Sequence, residues 1–196
     1  MGRKAGVSPE ETKADLLRAA ATVFARSGYE GASIAEITAE AGTSSGPIYL
    51  HYGGKAELFV AMLRAHTDAE LDAVLGRLDH HDVTSLLASL GSELARAPDD
   101  RGALMIEAIV AARRDPEAAR LLAETFAERE RLLAQLIERG QASGEVDERV
   151  SPDTVARFSM IVALGSVLIG SMDLAPTDPD EWSDLIGGVV RSLKAR

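Results

Sequence analysis

The sequence predicts an all-helical protein of about nine helices and no strands, and three observations carry that prediction. Alanine and leucine dominate the apolar residues, and aromatics are only 4% of the chain. β-Branched residues nowhere alternate with polar ones in the strings that half-buried strands require. Helix-starting pairs and boxes recur instead: Ser8-Pro9, Ser33 with Glu36, Asp115-Pro116 and Ser151-Pro152.

Met1 to Val7 reads as a loose arm. Ser8 then caps a helix. Pro9 suits the first helical position, where a missing donor costs nothing, and Glu11 completes a capping box. Leu16, Leu17, Ala20, Val23 and Phe24 share one face of this helix. Ser27-Gly28 ends it and leaves Tyr29 in a loop. Ser33 and Glu36 box the next helix, whose apolar face is Ile34, Ile37 and Ala41. Gly42 makes the turn because glycine tolerates positive φ. Thr43 or Ser44 is expected to cap a third helix that reaches Leu50. Pro47 would clash with the carbonyl four residues back, so it belongs to the first turn, and the helix starts at Ser44 or just after.

After Gly53-Gly54 a long helix is expected from Lys55 to Leu75, burying Leu58, Phe59, Met62, Leu63, His66 and Leu71. Asp79 to Asp82 is a polar loop. The next helix carries Leu86, Leu87, Leu90 and Leu94 and stops before Pro98. Another, from Arg101 to Arg114, carries Leu104, Met105, Ile106, Ile109 and Val110. Asp115-Pro116 opens a longer one through Ile137, and Gly140 to Val150 is a loop. Ser151-Pro152 starts a very apolar helix. Its charge-free part, Phe158 to Met172, is shorter than a bilayer span needs, so it reads as a buried core helix in a soluble, cytoplasmic protein. Ala175 to Pro179 links to a last helix, where Trp182, Leu185, Ile186, Val189, Val190 and Leu193 recur at helical spacing.

The net charge is −10, but it is not spread evenly. Residues 1–55 hold six basic groups (Arg3, Lys4, Lys13, Arg18, Arg26, Lys55) against six acids, so the excess lies wholly on the remainder. A neutral head on an acidic body can meet DNA with the head alone. With no cysteine, disulfides and thiolate metal sites are excluded.

Two short helices joined at Gly42 and braced by a longer one form a three-helix helix-turn-helix unit. The second short helix is the one for the major groove. Its early residues, Thr43, Ser44, Ser45, Gly46 and Pro47, are small enough for close approach to base edges, and their hydroxyls can donate or accept. Tyr49, His51 and Tyr52 can reach phosphate oxygens with hydroxyl or imidazole donors, and Ser33 joins the candidate DNA-binding residues. Lys55 adds a charge at a helix N-terminus that already favours an anion.

Residues 12–63 resemble the DNA-binding domain of the TetR family of transcriptional regulators. The likeness rests on Leu16-Leu17-Arg18-Ala19-Ala20 with Phe24, Gly28-Tyr29, and Ser33-Ile34-Ala35-Glu36-Ile37. It continues through Ala41-Gly42-Thr43-Ser44, Gly46-Pro47-Ile48-Tyr49, His51-Tyr52, and Lys55 with Glu57-Leu58. Thr43, Tyr52, Gly53-Gly54 and Ala56 depart from the family's usual residues without removing a needed donor.

The resemblance implies a DNA-binding domain over 1–54 and a ligand-binding and dimerisation domain over 55–196. It implies a cytoplasmic homodimer that acts on a double-stranded DNA operator, most simply as a repressor released by a small molecule. Candidate pocket residues are Met62, His66, Leu90, Met105, Ile109, Phe126, Phe158 and Val162, whose chemistry suits a mostly apolar ligand. Candidate dimer residues are Ser166, Ile169, Gly170, Trp182, Ile186, Val189 and Leu193 on the last two helices, where small residues allow close approach.

No catalytic set, metal site or cofactor is expected. His80-His81 between Asp79 and Asp82 lacks helical ligand spacing, and His66 with Glu70 gives two ligands where a zinc site needs three or four. The competing reading is a helical ligand-binding or adaptor protein whose head no longer binds DNA.

Overall fold

In a computed structural model, the structure describes residues 8–75, 82–94, 100–170, 172 and 178–195. Nine helices and no strand occur among them: α1 (Pro9–Gly31), α2 (Ile34–Ala41), α3 (Gly46–Tyr52), α4 (Lys55–Leu75), α5 (Val83–Glu93), α6 (Asp100–Ala112), α7 (Pro116–Ala142), α8 (Pro152–Gly170) and α9 (Pro179–Arg191). The expected arm at 1–7, the polar residues Asp79 to His81, the stop before Pro98 and most of the linker before Pro179 lie outside the described residues.

Local chemistry sets most of the helix starts. Ser8 accepts from the Glu11 amide while Glu11 reaches back to the Ser8 amide, closing the first capping box. Ser33 and Glu36 close the second in the same way. Asp178 caps α9 through the amides of Asp180 and Glu181. Gly42, at φ 64°, ends α2 in the left-handed conformation expected of it.

Four expectations are corrected. The helical path does break at Gly28 (φ 68°), but Tyr29 is buried in a short helical turn after the break and is not in a loop. Neither Thr43 nor Ser44 caps α3. That helix starts at Gly46 after Ser45, which makes no side-chain capping bond, so Pro47 falls on the second helical residue. There, too, its missing donor is one no helix would use. Gly140 lies inside α7 because α7 needs a residue without a side chain there: a Cβ would stand 2.7 Å from a Val146 methyl. Finally, α8 is not a buried core helix. It is long and apolar enough to cross a membrane, yet only Val155 and Ala156 are buried along it.

The chain divides into two compact units, residues 1–68 with 103–124, and 69–102 with 125–196. In the first, α1 packs on α2 and α3 around Leu16, Val23, Phe24, Ile37, Ile48, Leu58, Phe59 and Met62, all fully buried. Phe24 and Phe59 meet edge to face at 4.6 Å, and Tyr29 joins them 5.0 Å from Phe59. The second unit closes on Val83, Leu86 and Leu87 of α5, Leu136 and Ile137 of α7, Val146, Val155 of α8, and Ile186 and Val190 of α9. Helices α5 and α9 approach closely at Gly91, where a Cβ would stand 2.6 Å from an Ile186 methyl, and the Trp182 indole donates to the Gly91 carbonyl at 2.8 Å.

Asp82 starts α5. Its carboxylate accepts from the Ser85 amide at 2.7 Å and from the Thr84 and Ser85 hydroxyls. The Thr84 hydroxyl, then the Ser85 amide, hold its pKa down to about 2, below the ordinary value of 3.8. Asp82→Ala should destabilise the protein by about 1 kcal/mol at neutral pH, the usual worth of such a cap. Because the folded-state pKa is the lowered one, this contribution is complete above pH 4 and is lost as pH falls toward 2. Urea melts should therefore show the gap between the two proteins closing over that window. A gap that stays constant would remove the carboxylate from the cap.

Candidate nucleic-acid interface

The candidate interface is built on α2 and α3. One residue, Ile48, is fully buried on α3 and fixes which way that short helix faces. Ser45, Gly46, Tyr49 and Leu50 are then left exposed, Tyr49 at 57% and Leu50 at 79%. Ser44 is exposed before them, while Thr43, Pro47 and His51 are half-buried. Thr43 donates its amide to the Thr38 carbonyl, which continues the turn after Gly42. The Ser33 hydroxyl is already spent: it accepts from the Glu36 amide and donates to the Glu36 carboxylate at 2.8 Å. Of the nine residues expected to meet DNA, the structure thus puts Ser44, Ser45, Gly46 and Tyr49 on open surface around one face. Tyr52, whose ring lies 6.4 Å from that of His51, turns its hydroxyl toward the Lys13 carbonyl at 3.5 Å.

Lys55 is placed differently from an open phosphate anchor. Its ammonium donates to the carbonyls of Tyr29 at 2.8 Å and Ala32 at 3.1 Å, and lies 4.5 Å from the centre of the Tyr29 ring. Two of its three donors are therefore committed inside the unit. Tyr29 is held from its other side as well. Its amide donates to Glu107 of α6 at 3.1 Å, and its phenol donates to Asp115 at 2.5 Å. The second oxygen of Asp115 caps α7 through the amides of Glu117 and Ala118. Burial, and then the bond to Asp115, push the Tyr29 phenol well above its ordinary range. The same bond, with help from the Ala118 amide, lowers the Asp115 carboxyl. Gly28 completes the arrangement. Besides its positive φ, a Cβ there would stand 3.0 Å from the Glu107 carboxylate. Glu107 and Asp115 give no sign in the sequence of this role, because each is an ordinary acid on or beside a helix, far from Tyr29 along the chain.

The expected pocket residues are shared between the two units. Met62 is fully buried in the core of the first unit, which also holds Met105 and Ile109. Leu90, Phe126, Phe158 and Val162 belong to the second. An inward placement fails for Ile109 and Phe158, which are exposed. On α6 the buried face is Leu104, Ala108 and Ala111, and Ile109 lies off it. The side chain of His66 lies outside the described residues.

The expected dimer set also divides. Ile169 is exposed, and Ser166, Gly170 and Val189 are half-buried. Ile186 lies within the core of its own unit, with Trp182 and Leu193 packed against that core, so these three face inward. The outward residues are Phe158, Ile161, Leu168, Ile169 and Met172 on and just after α8, and Leu185 on α9.

Two family models match the chain, one described as bacterial regulatory proteins of the tetR family over residues 16–62, the other as the tetracyclin repressor-like C-terminal domain over 76–186. The HTH-type transcriptional repressor AcnR of Corynebacterium jeikeium is 30% identical over 158 residues, which cover 79% of each chain. Among solved structures, Salmonella enterica GusR superposes with a TM-score of 0.77 at 20% identity, over 96% of this chain and 98% of that one. The regulator FadR of Bacillus subtilis, solved with stearoyl-CoA, gives a TM-score of 0.68 at 18% identity, over 90% and 96%.

The placement of Lys55 makes a prediction. Lys55→Met keeps the stem and removes the ammonium, leaving two carbonyls short of a donor. It should cost about 2 kcal/mol of stability, the range for charge-assisted bonds, in urea melts without any nucleic acid present. An unchanged melt would mean that Lys55 holds nothing inside the protein.

Proposed function

The chain belongs to the TetR family of bacterial transcriptional regulators, which are DNA-binding regulators and not enzymes, and from that premise we propose that it acts as a homodimeric repressor released from a palindromic operator by a small, mostly apolar ligand. The observation that carries this reading is the open face of α3, where hydroxyls and small residues stand on a helix whose opposite side is pinned by Ile48. The resemblance to the repressor AcnR supports the sign of the control. Residues 1–54 serve as the DNA-binding head, and the rest of the chain binds ligand and partner.

The second copy covers α8. Ile161 and Leu185 are each 61% exposed, and Leu168, Ile169 and Met172 stand out beside Ile161. Along α8 the outward set recurs at helical intervals with Gly165 within it, and nothing lies within 4 Å of a Cβ built at that glycine. A matching helix can therefore approach closely. Such a dimer sets two copies of α3 about 34–36 Å apart, one helical turn of DNA, on a palindromic site. It also accounts for how a protein with so apolar a helix stays in the cytoplasm.

For the effector, the apolar character of Leu90, Phe126 and Val162, which share the second unit, suits a ligand with a long or bulky hydrocarbon part. FadR, of the same fold, holds stearoyl-CoA, which supports that chemical class. Release works through α4. Its first residue is tied to the head by Lys55, so a ligand that favours one inclination of α4 changes the separation of the heads.

The test is a gel shift of the full chain against DNA upstream of its own gene or the divergent neighbour. Binding is expected to weaken as salt rises, as phosphate contacts require, and to be lost when an acyl-CoA is added. A verified dimer that retains no duplex at any salt would leave the adaptor reading in its place. Ile161→Glu with Leu185→Glu should give folded monomers by sedimentation and weaken binding to the palindrome by at least about tenfold. A dimer surviving both changes would put the seam elsewhere.

A further inference from the structure

On α3, at 3.6 residues per turn, Gly46 and Leu50 sit about 160° and 200° round the helix from Ile48, directly opposite the residue that anchors it. Ile48 is fully buried and Leu50 is 79% exposed, the largest exposure of any large hydrophobic residue among those described. Tyr49 and Pro47 flank this pair on either side. A helical side chain leans toward the helix N-terminus, so Leu50 covers the surface over Gly46, one turn back. Gly46 contributes no side chain, and a Cβ built there would meet only the Ser44 hydroxyl, at 3.9 Å. Leu50 is therefore the most protruding group at the centre of the face that α3 turns away from its own protein.

No Arg, Lys, Asn or Gln lies on α3. The bidentate pairs that distinguish guanine or adenine by hydrogen bonding are thus unavailable from this helix. What remains on and just before it is the hydroxyls of Ser44, Ser45 and Tyr49, which accept several bases, the half-buried His51 imidazole, and one exposed aliphatic branch. In the major groove the only apolar group a base presents is the C5-methyl of thymine. Among base edges in the groove, a leucine left this open in the free protein gains most by burial against such a group.

Resting on the DNA-binding reading, we infer that Leu50 is a specificity-determining residue that reads a thymine methyl in each half-site of the operator. Base choice at that position then comes from apolar contact, and a base pair with no methyl in reach is disfavoured without any clash.

The experiment selects a bound site from a random duplex pool with the full-length protein and replaces each thymine of that site in turn by deoxyuridine, which lacks only the methyl. For the wild type, one position per half-site should lose about fourfold in affinity, the worth of one buried methyl. Leu50→Ala, whose side chain is too exposed to support the fold, should bind the thymine site more weakly and show no further loss with deoxyuridine there. The proposal is overturned if no thymine is sensitive, or if the same thymine costs Leu50→Ala as much as the wild type. Either result leaves DNA binding standing. If the wild-type dimer selects no duplex at all, both this inference and the reading beneath it fall.

Discussion

The first unit depends on how the backbone between α1 and α2 is satisfied. The helical path breaks at Gly28, and α2 begins only after Ser33, so the carbonyls of Tyr29 and Ala32 have no helical partner. Buried carbonyls without donors are costly. The Lys55 ammonium supplies both bonds and lies against the Tyr29 ring. Glu107 and Asp115 hold the amide and phenol of the same tyrosine. One aromatic residue thereby gathers α1, α4, α6 and the start of α7, and α2 and α3 inherit their position from it.

This use of charge bears on how the head meets DNA. Lys55 is turned toward protein carbonyls, and α3 brings no formal cation to its open face. Contacts there must come from hydroxyls, an imidazole and apolar surface. Non-specific attraction is correspondingly modest, and the acidic remainder of the chain lowers it further. On the inference drawn from Leu50, selectivity comes from fit at the groove floor, which demands that α3 be held rigidly. Fully buried Ile48 and the locked Tyr29 supply that rigidity.

Features encoded within a few residues were legible in the sequence. Both capping boxes, the left-handed Gly42 and the full extent of α4 followed from local chemistry. What was not legible was partner choice over long separations. Tyr29 lies 78 residues from Glu107 and 86 from Asp115, and no spacing rule connects them. Lys55 reads as a phosphate anchor because a lysine at a helix start often is one; only the fold shows that its ammonium also bonds the carbonyls of Tyr29 and Ala32. The open face of α3 was read from its hydroxyls, so Leu50 was passed over: an aliphatic residue in a short amphipathic helix looks like core until the buried face is known. The open face of α3 was therefore half visible, and the buried faces of the apolar helices were less so, since periodicity identifies an apolar helix without saying which apolar residues turn inward.

Helix α9 shows the same limit and what resolves it. Its apolar residues recur at helical spacing, and by pattern alone the whole stripe could face a partner. The close approach at Gly91 decides otherwise, because Ile186 fills the space where a side chain on α5 would stand, and Trp182 is tied to the Gly91 carbonyl. Trp182, Ile186, Val190 and Leu193 are thereby committed to the core of their own unit, and Leu185, one residue from Ile186, is rotated about 100° away and left outside. Helix α8 makes the opposite division, burying only Val155 and Ala156 near its start and leaving Ile161, Leu168 and Ile169 open. The apolar surface that the second unit leaves open is therefore dominated by α8, with α9 contributing Leu185.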